Sequence, residues 1–450
     1  MLRFSPAALA LEPSLRYGLD VLVDQSRVLV VDDPSADVVT LDIDPTLGAS
    51  GFRVSEGKVI VTTGALGWVQ RVAGAEAEAR SSARDRYGRV PSTANPVVMD
   101  NNSERRPSIT EAAVRLRQRV HEAAGRRCVR VLAPWPDGKR WAAALTHDVD
   151  VVTGWPAFTA LRLVELFRKG ELGRAGRVIA AALGAIGGDP TWRGMADVLS
   201  VERDVGVVST WFLLCGTPTM STWRAGDLTY SPESRAVKRL LDALAAAGHE
   251  VGLHGSFATY DNAEVFGEQR RRLSALGATP TGVRQHYLRM VPGATQTAMR
   301  AAGFAYDATF GFPDRNGFRL GSADIVPSSF VEGLDEVPLV WMDRALSKYR
   351  GIEDPNAWVD DALELAAAAR AVEGLWVGLW HCNLTAPLGY PGAPAAYARL
   401  LTEITRESPY VATLDRLVAW RRARRAVRAT AVAPDGRCSL STPWDLEAVV

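Results

Sequence analysis

Residues 141–150 read Trp-Ala-Ala-Ala-Leu-Thr-His-Asp-Val-Asp. An apolar run bounded by polar residues has the length and composition of a buried strand, and here it runs straight into a cluster of side chains able to do chemistry. The pattern recurs downstream. Ser209–Leu214 (STWFLL) ends at Cys215-Gly216, Glu250–Leu253 (EVGL) at His254-Gly255-Ser256, Gly282–Arg284 at Gln285-His286-Tyr287, and Trp376–Trp380 (WVGLW) at His381-Cys382-Asn383. Helical stretches separate these runs. One is predicted from a Ser231 cap and Pro232 to a closing Gly248, and another from an Asp354 cap and Pro355 to Gly374. A last helix is predicted over Thr413–Val427. Strands alternating with helices imply a parallel sheet. Polar residues gathered at strand C-termini imply an α/β fold closed as a (β/α) barrel.

The rest of the chain supplies the context. Its 450 residues exceed one ordinary core. A net charge of +1 provides no bulk attraction to nucleic acid or an anionic membrane. Cys128, Cys215, Cys382 and Cys438 are scattered without a CxxC pair, so neither a zinc knuckle nor a disulfide framework is expected. The N-terminal stretch has only a short apolar run, interrupted by Glu12 and Pro13, and no run reaches membrane-span length. A cytoplasmic location and no membrane span are the expectations.

Residues 1–125 read as a small α+β domain. Lys58–Thr63 has strand character, Ser81–Arg106 is polar and arginine-rich, and Ser108–Arg126 forms a linker helix capped by Ser108 or Thr110. The barrel is expected over residues 138–428 and a loosely held tail over 429–450.

Six histidines occur in the chain, and four of them (His147, His254, His286, His381) fall at strand ends. Any one alone reads more simply as a satisfied structural residue. Their coincidence with Asp148 and Asp150 on one rim is the composition of a metal-assisted hydrolytic site. Asp148 and Asp150, two apart on an extended segment, face the same way, and His147 faces away from them. His121 and His249 are read as structural.

The order Thr-x-Asp-x-Asp, S-T-W-F-L-L, G-L-H-G-S, Arg-x-x-Tyr and W-H-C-N resembles the polysaccharide deacetylase (NodB-homology) family, carbohydrate esterase family four. The resemblance spans roughly Arg140–Arg425, in a form whose first motif reads THDVD instead of TFDDG. It implies a distorted NodB-type barrel, a divalent metal such as zinc, and removal of an acyl group from a sugar. By motif position it implies Asp148 as general base, Asp150 and His254 as metal ligands, and Arg284 orienting the base. It likewise implies Tyr287 as the source of an oxyanion N–H, His381 as general acid, and Asp307 as the match to a fourth-motif acid. The family's second metal histidine falls on Ala258, which cannot ligate. His286 is the first candidate replacement and His147 the second. Phe257, Tyr287, Phe310, Phe312, Trp341 and Trp380 are candidates for stacking on sugar rings. Two other readings share these residues: an amidohydrolase of small cyclic amides or of a carrier-linked sugar, and a metal-free glycan-binding homologue.

Overall fold

The computed structural model describes residues 1–46, 51–99, 103–127, 129–433 and 437–441. Cys128, residues 100–102 of the polar stretch and most of the predicted tail lie outside the described residues. Cys215, Cys382 and Cys438 form no disulfide.

The N-terminal region builds a four-stranded sheet from β1 (Leu2–Phe4), β2 (Val39–Asp44), β3 (Phe52–Ser55) and β4 (Lys58–Thr62), in the order β1-β2-β4-β3. Leu41, Val59 and Val61 turn inward and pack with Leu19, Leu22, Leu66 and Leu116 of three covering helices. Met290, Phe310, Leu320 and Val326, from the second half of the chain, belong to the same cluster. The two halves therefore share a core across the sequence boundary near residue 125.

The second half is a parallel sheet of β5 (Ala142–Val149), β6 (Thr210–Leu214), β7 (Glu250–Gly255), β8 (Gly282–Gln285), β9 (Tyr306–Asp307), β10 (Val326–Pro327), β11 (Asp335–Glu336), β12 (Trp341–Met342) and β13 (Leu375–Leu379). Only the β10–β11 pair is antiparallel. Successive strands from β5 to β9 are neighbours, and β13 flanks β5 on its other side. One extended segment, 335–342, closes the ring. Its β11 end pairs with β9 and its β12 end pairs with β13. Between them Leu339 N–H reaches the Phe310 carbonyl and Val340 N–H the Val377 carbonyl. The result is a distorted (β/α) barrel of seven parallel stretches. Its curl is visible in one contact. In a flat sheet β5 and β8 would stand about 14 Å apart, three strand spacings, yet Arg284 Nη1 on β8 lies 2.9 Å from Thr146 Oγ1 on β5.

Strand β14 (Tyr410–Val411) pairs with Ala142 and Ala143 of β5, while β6 pairs with β5 only from Thr146 onward. The final helix follows over Leu414–Ala426, with Thr413 before it. Two caps differ from expectation. Ser234, not Ser231, caps the helix Arg235–Ala247, because Ser231–Glu233 form a turn in front of it. The helix after Asp354 ends at Ala371, and Glu373, not Gly374, adopts the left-handed conformation (φ 56°). Where a loose tail was expected over 429–450, β15 (Arg428–Val432) and β16 (Cys438–Ser441) pair antiparallel, and Ala429 bridges to Val31. No described helix is long and apolar enough to cross a membrane.

Candidate metal centre

Alternation along β5 and its extension aims Thr146, Asp148 and Asp150 into the barrel and His147 outward. His147 packs on Trp211, with ring centroids 4.5 Å apart, and joins its two nitrogens to the Trp380 carbonyl (2.8 Å) and to buried Glu202 (2.9 Å). It is an anchor for the strand, and the metal-ligand alternative for it falls away. His249 belongs to the same network, accepting the Ser209 N–H at 3.0 Å.

Inside the barrel, Arg284 is fully buried and gives Nη1 to both Thr146 Oγ1 and Asp148 Oδ1, each at 2.9 Å. The second oxygen of Asp148 lies 3.7 Å from His254 Nε2. Asp150 Oδ1 stands 3.5 Å from His254 Nε2 and 3.5 Å from His286 Nε2. Asp150, His254 and His286 thus offer three ligand atoms that all lie within 4.8 Å of one another. His286 arrives because it sits two residues beyond Arg284, on the same face of β8. The chain then turns away sharply, with Tyr287 and Leu288 at φ 59° and 52°. Ala258 is exposed in the loop after β7 and takes no part.

The hydrogen bonds fix which ring nitrogens are free. His254 Nδ1–H donates to the Arg284 carbonyl at 2.9 Å. His286 Nδ1 lies 2.9 Å from Asp227 Oδ1. In neutral rings this turns both Nε2 lone pairs toward Asp150. Asp150 Oδ1 and His254 Nε2 are buried without a hydrogen-bond partner. Acceptors that face each other in a buried site require a cation or a proton between them. A tetrahedral ion with bonds of about 2.0–2.2 Å sets its ligands about 3.3–3.6 Å apart, and the two 3.5 Å separations match. The residues present therefore fit a divalent metal. The carboxylate behind His286 is the usual outer partner of a metal-binding histidine.

His381 closes the site from β13. Its Nε2 lies 3.7 Å from Asp150 Oδ2, and its Nδ1 lies 2.6 Å from Asp343 Oδ1, whose other oxygen accepts the His381 N–H at 2.6 Å. Burial works to lower the His381 pKa, but the Asp343, Asp150 and Asp148 charges outweigh it and raise it. Burial would raise the Asp148 carboxyl, but the His254, Arg284 and His381 charges hold it below the usual carboxylate range. Asp150 is lowered too: against burial, its close approach to His254 and the charges of His254, His286 and His381 favour the carboxylate. His254 is raised: Asp148 and Asp150 outweigh its desolvation. Protons and metal consequently compete for the same nitrogen.

Asp307 does not join the cluster. It is buried on β9, where it accepts the Thr309 N–H and a hydrogen bond from Gln296. The acid partnering the late histidine is Asp343. Phe310, Phe312, Trp341 and Trp380 are buried in the core and present no stacking face; Phe257 and Tyr287 remain half-exposed. Tyr287 stacks on His286 (4.1 Å) and on Tyr87 (5.1 Å).

The site opens into a cavity of about 190 Å³, whose lining includes Asp148, Asp150, His254, His286, Tyr287 and His381. Phe158, Arg344, Lys348 and Tyr349 also line it, and so does Arg89 from the N-terminal region. Arg89 is nearly fully buried, donates to the Tyr287 carbonyl at 2.7 Å and is paired with Asp85 at 2.7 Å. Sequence reasoning passed over Asp227, Asp343 and Arg89 because each sits in an aperiodic segment.

No protein-family model matches the chain, and no curated protein matches it. Among solved structures it is similar to a Mycobacterium smegmatis protein assigned as a polysaccharide deacetylase (23% identity, TM-score 0.42, 67% of this chain and 96% of that one). It is also similar to the chitin deacetylase of the fungal pathogen Colletotrichum lindemuthianum (13% identity, TM-score 0.34, 66% and 91%). A third similar structure is a family 4 carbohydrate esterase from Streptomyces lividans (13% identity, TM-score 0.31, 59% and 90%).

Proposed function

We propose that the protein is a divalent-metal-dependent hydrolase that removes an acyl group, first of all N-acetyl, from a sugar, and that it belongs with the deacetylases whose first motif is THDVD. The observation that carries this reading is the convergence of Asp150 Oδ1, His254 Nε2 and His286 Nε2 beside two further groups matched to proton transfer. Two histidines and one carboxylate are a ligand set of catalytic zinc, so zinc is the metal proposed. When bound it supplies Lewis acidity toward an acyl carbonyl and water.

The chain's own residues divide the remaining work. Asp148, kept ionised and oriented through Oδ1 by Arg284, presents Oδ2 to accept a proton from water. His381, held by Asp343 and with a raised pKa, carries a proton on Nε2 for the departing nitrogen or oxygen. The turn at Tyr287, held through its carbonyl by Arg89, sets the backbone proposed to face the oxyanion. The cavity is smaller than the roughly 300–1,000 Å³ common for ligand sites. That size suits a single acylated sugar unit, and it equally favours the second reading, an amidohydrolase of a small amide.

Metal analysis joined to turnover tests this reading. Protein expressed with ample zinc is expected to hold one equivalent and to release acetate from N-acetylated sugars. Asp150→Ala and His254→Ala should lose the metal while keeping their circular dichroism. Asp148→Asn should keep it and lose about 10²-fold or more in kcat. Wild-type protein without metal, or Asp148→Asn at full activity, overturns it.

A further inference from the structure

One wall of the cavity carries positive charge that no described residue pairs. Arg344 precedes and Lys348 lies within a π-helical turn (Ala345–Tyr349) that follows β12, a geometry that recurs at functional sites. Arg344 gives Nη1 to the Tyr390 hydroxyl at 2.5 Å and lies over the same ring. The Lys348 amine stands 5.6 Å from the Tyr287 ring centre and 5.7 Å from that of Tyr349. Neither cation makes an ion pair with any described residue. The acid nearest in sequence, Asp343, is committed through both oxygens to His381. Asp148 and Asp150 are the acidic residues of the lining; the first is paired with Arg284 and the second faces three histidines.

Like charges gathered on a half-buried wall cost free energy unless a counter-charge is present. Arg89 is balanced by Asp85, whereas among the described residues Arg344 and Lys348 have no carboxylate in contact; Asp150 acts on both from a distance, as Asp343 does on Arg344. Crowding of the Lys348 amine by the wall, together with the Arg344 charge, pushes its pKa down to about 8 although the side chain still meets solvent. A bound divalent metal would add positive charge to the same cavity. A counter-charge in contact with these two cations would therefore be an anion from outside, bound in the cavity that the triad also lines.

We infer that Arg344 and Lys348 form an oxyanion subsite, and that the substrate is an acylated sugar bearing a carboxylate or a phosphoryl group. The inference rests on the hydrolase reading for the acyl group but not for the anion. A guanidinium and an ammonium side by side suit either oxyanion, the first by paired N–H donors and the second as a point charge. Tyr349 beside Lys348 also lines the cavity and provides a ring for the sugar body.

Titration calorimetry of the full-length, metal-replete protein tests it with three probes: N-acetylglucosamine, N-acetylglucosamine 6-phosphate and N-acetylmuramic acid. At least one anionic sugar is expected to bind about tenfold or more tightly than the neutral one, and the tighter of the two identifies the oxyanion. Lys348→Met, at an exposed position, should remove most of that advantage, as should Arg344→Gln. Equal affinity for all three sugars overturns the subsite. So does an anionic advantage that survives both substitutions, as it would if the anion bound the metal alone. Anionic preference without acetate release keeps the subsite and removes the hydrolase reading; acetate release without anionic preference does the reverse.

Discussion

His286 shows how much a single side chain depends on its neighbour. Its Nε2 can face Asp150 as a lone pair because Nδ1 is held by Asp227, and Asp227 Oδ1 also accepts the Phe257 N–H at 2.8 Å. Asp227 therefore joins the loop after β7 to the metal-facing histidine of β8. Asp227→Asn removes the charge while preserving shape. It is expected to weaken metal binding about 10- to 100-fold, measured by competition with a chelating dye; unchanged affinity would show that Asp227 only tethers the loop. Of the residues brought together, Asp148, Asp150, His254, His286 and His381 were readable from sequence because each stands at the end of an apolar run, and Arg284 through its motif position; alternation gave the direction of the two aspartates. Asp227 and Asp343 were not readable, since an aspartate in a loop looks the same whether it caps a turn or holds a histidine.

At the scale of elements, β7 carries a second informative group at its opposite end. Glu250 accepts hydrogen bonds from Thr210 (2.8 Å), Tyr306 (2.7 Å) and the Asp415 N–H (3.1 Å), so it pins β6, β9 and the final helix at the far end of the barrel. Burial, reinforced by the Asp415 charge, raises its pKa to about 7. Between pH 4.5 and 7 the folded protein holds a proton that the unfolded chain has released. This contribution is complete below 4.5 and falls as pH rises, by about 3 kcal/mol in all. Glu250→Gln should lack that decline. Urea midpoints of the two proteins measured from pH 4.5 to 8 should diverge; parallel curves would mean that Glu250 is ionised in the fold. The strands β5 to β8 and β13 were evident as apolar runs. The closing segment was not, because its two ladders are only two residues long and an antiparallel partner, β10, interrupts the pattern.

For the whole molecule, the boundary near residue 125 separates two sheets without separating two cores. Arg319 and Glu78 form a buried ion pair across it at 2.6 Å, and Arg421 and Arg425 both reach Asp24. We propose that residues 1–125 are an integral cover of the barrel. A chain starting at residue 126 would leave Arg319 buried without its acid, and Met290, Phe310, Leu320 and Val326 without their apolar partners. Loss of one partner of a buried pair alone costs about 3–5 kcal/mol. The truncated chain is expected to be insoluble or to lack a cooperative melting transition; a soluble barrel melting near the full-length temperature would contradict this. The stretch Ser81–Arg106 read only as polar and arginine-rich, yet its Arg89 reaches the rim. Composition cannot reveal a contact made 198 residues away.

The ring of strands also sets an order of assembly. Asp150 and His286 follow β5 and β8, and His254 lies on β7; with β6 these strands make four consecutive neighbours linked by successive crossovers. His381 comes with β13, whose ladder to β5 pairs Leu375–Leu379 with Ala142–Thr146 and is joined by a hydrogen bond from Thr146 Oγ1 to the Gly378 carbonyl, 232 positions along the chain. Contacts of such separation form late, since closing long loops costs entropy before any pairing compensates. A half-closed barrel can therefore already hold a metal while lacking its proton donor. In refolding from urea with zinc present, uptake of the ion should run ahead of recovered turnover. Simultaneous recovery would mean that the ring closes in one step. During that interval the ion would serve as a ligand of a folding intermediate, favouring the four-strand arc before the barrel is complete.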